Sequence, residues 1–287
     1  MTLPYHQIDA FTETPYQGNP AAVCVVQHAL SVHAMQTIAR EMNLSETAFV
    51  EAPDSSGVRR LRWFTPTTEV PLCGHATLAA SHALRSLGHA PPYHFGSASG
   101  SLFVHPEDDG ALRLDFPADE CTVVETDLRV LAALGLDETA TCLSGALGYI
   151  VRVEDASIVD CLTPNFTRLG AIDLGADVMV LSVTAPGTAT ATSSTAGSST
   201  EDSDHVDVIS RVFAVWAGID EDPVTGVAHT GLGPYWAGEL GKSEFTARQG
   251  GARRGHLRVR VEGERVHLIG HAVTVAEGTL VAPPEHG

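Results

Sequence analysis

Paired cysteines are missing. The five present, Cys24, Cys73, Cys121, Cys142 and Cys161, are odd in number and contain no C-x-x-C spacing. Neither a disulfide framework nor a zinc ribbon is indicated, and a reducing compartment fits best. Basic residues are scarce: 17 Lys and Arg stand against 35 Asp and Glu, a formal charge of −18. Without clustered cations to displace counterions, nucleic acid is not an expected partner, and the scattered acids read as a solubility device. No run approaches the roughly 20 apolar residues that span a bilayer. The start, Met1 to Asp9, lacks a basic n-region and an apolar h-region, so the chain reads as soluble and cytoplasmic with no membrane partner. G-x-G-x-x-G, G-x-x-x-x-G-K-[ST] and G-x-S-x-G are also absent, which leaves nicotinamide, nucleotide and α/β-hydrolase chemistry unsupported. Nothing in the chain requires a cofactor. Among 14 histidines there is no H-E-x-x-H, and His267 and His271 straddle Gly270 in a strand-like region; no metal site is expected.

What the chain does have is two glycine turns, Leu72-Cys73-Gly74-His75-Ala76-Thr77 and Asp222-Pro223-Val224-Thr225-Gly226-Val227-Ala228-His229. Each leads into an alanine-rich stretch that should be helix. A helix start offers unpaired N–H groups and partial positive charge, so two facing starts would hold an anion, first of all a carboxylate-bearing metabolite. Either turn alone is equally the mark of a tight connection.

At 287 residues the chain exceeds the usual single core, and two domains are expected. Alternation predicts strands over Tyr5–Phe11 and Ala21–Val26, with a turn-rich loop from Thr12 to Pro20. Ser31 can cap a helix carrying Met35, Ile38, Ala39 and Met42 and ending near Asn43. Period two then sets Glu46, Ala48 and Val50 opposite Ser45, Thr47 and Phe49. Strands follow over Arg59–Phe64, Ser101–His105 and Leu112–Phe116, with a helix from His75 to about Leu87 before the last two; Pro117 suggests a domain edge. The second half repeats the order, with strands near Gly148–Val153, Val178–Val183 and Val206–Val215, a helix to about Leu240, and strands at Leu257–Val261, Arg265–Gly270 and Ala272–Val275. The domains are drawn as 1–117 and 118–272, the last strand, about 273–287, being free to cross back to the first. Ala185 to Ser203, rich in Thr, Ser, Ala and Gly, reads as a disordered-looking insertion.

Glu46 is the most informative acid. On an apolar face at a strand start, lost solvation would raise its pKa toward working pH and let it take and give a proton; a strand-edge glutamate reaching water is the alternative. Asp222 either caps the second helix, the role that wins on position alone, or aims at a ligand. His75 follows Gly74 at a helix start, where the dipole would keep its ring neutral and able to hydrogen-bond a developing enolate. Cys73 is a candidate thiolate at the same start, but Pro223 takes the equivalent place in the second turn, and a lone buried thiol is the simpler reading.

Together these segments resemble the phenazine-biosynthesis isomerase family, the PhzF-like proteins. The match runs through Asp9-Ala10-Phe11-Thr12, Gly18 to Val23, Asn43 to Phe49, Trp63-Phe64-Thr65-Pro66, Cys73 to Thr77, Glu221 to Gly226 and Gly263 to Gly270. The resemblance implies an α+β fold like that of diaminopimelate epimerase: two similar domains, each a β-barrel-like sheet around a central helix, with the site where the helix starts meet. It implies Glu46 as general acid/base, with Ser45, Gly74, His75 and Asp222 around the substrate, Gly226 and Val227 on the second turn, and a cofactor-independent homodimer acting on a small anionic metabolite by a proton shift. Two departures stand out. Val227 occupies a position where the family usually has Ser, and Gln249-Gly250-Gly251-Ala252-Arg253-Arg254-Gly255 only approximates the family's pattern. An epimerase using Cys73 with Glu46, and a catalytically silent small-molecule binder, are the alternatives.

Overall fold

The computed structural model describes residues 2–175, 178–187 and 206–283. These divide into two compact units. The first takes in the described parts of Met1–Phe116, Arg253–Leu257 and His267–Gly287; the second, those of Pro117–Ala252 and Arg258–Val266.

In the first unit, β1 (Thr2–Ala10) pairs antiparallel with β2 (Asn19–Val26). The helix α1 (Val32–Met42) then crosses to β3 (Glu46–Pro53), which runs parallel to β2 with Ala21 opposite Glu46. Ser31 caps α1 by accepting the Ala34 N–H at 3.2 Å, and Asn43 ends it at φ 50°, as its short polar side chain tolerates. Met35, Ile38 and Ala39 bury against Cys24, Val26, Phe49 and Phe64. The sheet continues through β4 (Arg59–Phe64), antiparallel to β3, with the short β5 (Glu69–Val70) on β4. After α2 (Gly74–Ser86), β6 (Tyr93–Ser97) runs parallel to β4, and β7 (Gly100–Pro106) and β8 (Leu112–Pro117) follow antiparallel. Ten of the 13 residues of α2 are buried, all round the helix, because it packs against β1, β2 and β3. Its buried hydroxyls stay satisfied by back-bonding: Thr77 Oγ1 donates to the Cys73 carbonyl and Ser81 Oγ to the Thr77 carbonyl.

Sandwiching between α1 and α2 buries both faces of β3 from Glu46 to Val50. Alternation there therefore separates two packed faces, not a core face from a wet one.

The second unit holds β9 (Thr122–Val123), α3 (Leu128–Leu134), β10 (Thr141–Ser144), β11 (Gly148–Arg152), α4 (Ala156–Asp160), α5 (Phe166–Gly170), β12 (Val180–Pro186), β13 (Val208–Ala214) and β14 (Ile219–Asp222). Then come α6 (Gly226–Leu240) and β15 (Glu244–Gln249), while β16 (Gly255–Glu262) and β17 (Arg265–Gly270) are each divided between the two units. Strand pairing is antiparallel through β9, β10 and β11, parallel to β12, antiparallel to β13, and parallel again to β15. The core is built from Val130, Leu134, Val151, Leu181, Ile209 and Phe213. The three short helices α3 to α5 lie outside the repeat expected from the first half, each capped by its own side chain: Asp127, Asp155 and Asn165. The last strand, β18 (Ala272–Val281), extends past Val275 and pairs with β1 in the first unit.

The expected insertion needs one correction. Ala185 and Pro186 end β12, and Ala185 is fully buried, because they pair with Ile209 and Val208. Residues 188–203 of that reading, like 204 and 205, lie outside the described residues.

The second long helix, α6, carries Pro234 inside it. Proline has no N–H to give the Thr230 carbonyl one turn back, and the Asp119 N–H supplies that bond instead, at 3.0 Å. Gly231 makes the approach possible: a Cβ there would come within 2.9 Å of Cys121 Sγ. Among the described residues no helix is long and apolar enough to cross a membrane.

Candidate active site

Six α-helices are described, and four of them, α1, α3, α4 and α5, begin with a side chain accepting a backbone N–H. The two that begin at the glycine turns do not. The cap positions of α2 and α6 are Cys73 and Thr225, both extended and both without a side-chain cap hydrogen bond. Their first-turn N–H groups thus lack the usual internal acceptor, the arrangement that favours an anion.

In the first unit the parallel register of β2 and β3 brings the start of each strand to the first turn of α2. Glu46 opens β3 and points its side chain, 12% exposed, at His75, with Oε2 3.2 Å from Nε2. His75 is itself buried. Its Nδ1 faces Asn19 Nδ2 at 3.2 Å and Cys73 Sγ at 3.5 Å. Ser45 Oγ donates to Asn19 Oδ1 at 3.5 Å. The structure thus brings Glu46, His75, Cys73 and Gly74 together, with Ser45 joined through Asn19. Burial pushes the His75 pKa from 6.5 down to about 3. The ring is neutral as expected, but the cause is loss of water around it rather than the helix dipole. Glu46, Cys73 and His75 each present one possible ligand atom within 4.8 Å of the others. That donor set could hold a metal ion, and no spacing rule pointed to it.

Asn19 owes its place to a clasped loop. Gly18 adopts φ +63°, and a Cβ there would lie 2.2 Å from the Ala10 carbonyl oxygen, so only glycine fits. Arg253 holds the loop: Nε donates to the Gly18 carbonyl at 3.1 Å, and Nη2 to the Gln17 carbonyl and to Asp9 Oδ1, both at 2.9 Å. Asp9, buried, also accepts the Tyr16 N–H at 2.6 Å.

In the second unit Asp222 ends β14 and is buried. It is not the cap of α6, which is Thr225. The Thr225 hydroxyl donates to Asp222 Oδ2 at 2.5 Å and is thereby turned away from the helix N–H groups. Gln249 locks the pair, accepting the Thr225 N–H on Oε1 and donating Nε2 to both the Asp222 carbonyl and Thr225 Oγ1. Gly226 and Val227 begin the helix beside them. Further along, His229 Nδ1 lies 2.9 Å from the Thr225 carbonyl, which can only accept, so the proton sits on Nδ1. Burial lowers its pKa to about 4. Its bare Nε2 is buried with no hydrogen-bond partner among the described residues.

Sequence reading missed Asn19, Thr225, Gln249 and His229 as parts of these networks. The signal for the first was its place two residues before Ala21, the residue that lies opposite Glu46.

A buried acid against a neutral histidine at an uncapped helix start is a pairing suited to moving a proton. The chain matches the family model described as phenazine biosynthesis-like protein over residues 8–278, and it belongs to that family. An uncharacterized isomerase of Pseudomonas aeruginosa is 44% identical over 98% of this chain and 99% of its own length. Phenazine biosynthesis-like domain-containing protein 2 of Mus musculus is 41% identical over 98% of this chain and 100% of its own. Among solved structures, a PhzF-family protein of Enterococcus faecalis superposes with a TM-score of 0.87 at 37% identity, covering 98% of this chain and 100% of that one. A predicted epimerase of P. aeruginosa, at 22% identity and a TM-score of 0.67 over 98% of this chain and 100% of its own, shares the fold.

Proposed function

We propose that this isomerase shifts a proton within a small carboxylate-bearing metabolite, with Glu46 taking the proton and returning it at a second atom. The observation that carries the reading is the 3.2 Å approach of Glu46 Oε2 to a buried, neutral His75 at the uncapped start of α2. A carboxylate shielded from water is a stronger base toward a carbon acid, and a neutral imidazole steadies developing negative charge by donating a hydrogen bond. The open N–H groups at the start of α2 are suited to the substrate's carboxylate, and the family resemblance assigns Asp222 a positioning role. A cyclic amino acid is the substrate class that the family's best-known chemistry suggests. A cytoplasmic setting is proposed because all five cysteines are free, and homodimer assembly on the family resemblance alone.

The geometry disfavours Cys73 and Glu46 as the two bases of an epimerase. Bases on opposite faces of one carbon stand about 6–7 Å apart, being two contacts of about 3–3.5 Å. Here the candidate ligand atoms of Glu46 and Cys73 lie within 4.8 Å of each other.

The test is deuterium incorporation into candidate cyclic amino acids in heavy water by wild type and Glu46→Gln. Loss of an acid/base should slow exchange by on the order of 10²–10⁴. Equal exchange in both proteins overturns the mechanism. Thermal shifts by the same compounds without any turnover would favour the silent binder that Val227 suggests.

A further inference from the structure

We infer that Asn19 is a positioning residue that fixes the tautomer of His75, keeping Nδ1 bare and the proton on Nε2, the ring nitrogen nearest Glu46. The inference rests on the reading of Glu46 as the acid/base and adds to it a residue whose side chain touches the histidine.

Two proton arrangements satisfy the chain Ser45, Asn19, His75 beside Glu46. In one, the Ser45 hydroxyl donates to Asn19 Oδ1, the Asn19 amide donates to His75 Nδ1, and the ring's proton sits on Nε2 facing an ionised Glu46. In the other, the amide is turned over, Nδ1 is protonated, and the lone pair of Nε2 faces Glu46 Oε2. That pair of acceptors at 3.2 Å is tolerable only when the glutamate carries a proton.

The surroundings favour the first. Cys73 Sγ also faces Nδ1, at 3.5 Å, and a thiol is a donor there while its sulfur is a poor acceptor. Asn19 has little freedom to compromise. It is fully buried, its backbone is in register with Ala10, and Arg253 clamps the Gly18 carbonyl just before it. A histidine held in the Nε2–H form keeps its donor on the side where Glu46 works. His229 in the second unit is held the opposite way, with its proton on Nδ1 by a backbone carbonyl. The two rings are therefore internal standards for one another.

The experiment is long-range ¹H–¹⁵N correlation on histidine-labelled full-length protein near pH 7, with the two rings assigned by loss of their signals in His75→Asn and His229→Asn. The expected result is His75 protonated on Nε2 and His229 on Nδ1. A wild-type His75 found protonated on Nδ1 overturns the inference. Asn19→Asp is nearly isosteric but offers Nδ1 only an acceptor at neutral pH. It should move the His75 proton to Nδ1 and cut turnover by up to about 10⁴, by analogy with the wrong-tautomer aspartate-to-asparagine change of the serine-protease triad. An unchanged His75 tautomer in folded Asn19→Asp also overturns it. The spectra need no turnover, so a failure of the Glu46 reading, seen as equal exchange in Glu46→Gln, is recorded separately from a failure of this one.

Discussion

Lowering the pH from 6.5 to 5 should destabilise this protein steeply, and desolvated histidines set the slope: the buried His75 and His229, joined by the half-buried His82, whose pKa burial lowers to about 4. His75 and His229 are buried, and burial lowers their pKa values from 6.5 to about 3 and about 4. The folded chain therefore keeps both rings neutral in this range, while the unfolded chain takes up protons as the pH passes 6.5. Their contribution to stability is complete above pH 6.5 and is lost as the pH falls toward the folded values. Each ring costs about 1.4 kcal/mol per pH unit in between. Together they remove about 4 kcal/mol by pH 5, against a typical total of about 5–15 kcal/mol. Carboxylates titrate mostly below that window, with ordinary pKa values of about 4. The assay is urea unfolding followed by the fluorescence of buried Trp63 and Trp236 at steps between pH 7.5 and about 5, a range set by the histidine values. His229→Gln, which cannot titrate, should flatten about a third to a half of the pH dependence, according to how much the half-buried His82 adds. An identical pH slope in wild type and His229→Gln would refute the argument that a neutral, desolvated ring is built into the second unit.

Two further outcomes concern how the site is supported. Gly18→Ala forces a side chain into φ +63° with the Ala10 carbonyl oxygen 2.2 Å from the new Cβ, so it should cost about 2 kcal/mol or more and shift Asn19; calorimetry and the His75 nitrogen spectrum report each effect. Arg211→Met removes the buried guanidinium that donates twice to Glu221, at 2.8 and 2.7 Å, and once to the Leu162 carbonyl. Leaving that acid without its cation should cost about 3 kcal/mol, and a loss near zero in urea unfolding would count against the pair as a structural anchor.

Much of this architecture could be read along the chain, for local reasons. Ser31 and Asn43 bracket α1 because capping and left-handed termination are chemistry of single residues. The glycine turns at 74 and 226 announced two long helices, and both are there. Where two local rules competed, the sequence was silent. Asp222 and Thr225 are both good cap residues, and only the Thr225 hydroxyl turning to Asp222 decides that neither side chain caps α6. Asn19 lies in a Gly-Asn-Pro run whose composition signals a turn, and its link to His75 is a contact between distant segments that composition does not encode. Glu46 was legible as a carboxylate among small apolar neighbours. Its approach to His75 depended on the parallel register of β2 and β3, which periodicity leaves open.

The proline within α6 has a consequence for how the second unit comes to exist. With Pro234 unable to close the turn to Thr230, that carbonyl waits for the amide of Asp119, a residue far upstream. Such a helix is poorly suited to zip from either end on its own. Its midpoint is completed by a partner that must first diffuse into place, which ties the maturation of the longest helix to an encounter between remote parts of the polypeptide.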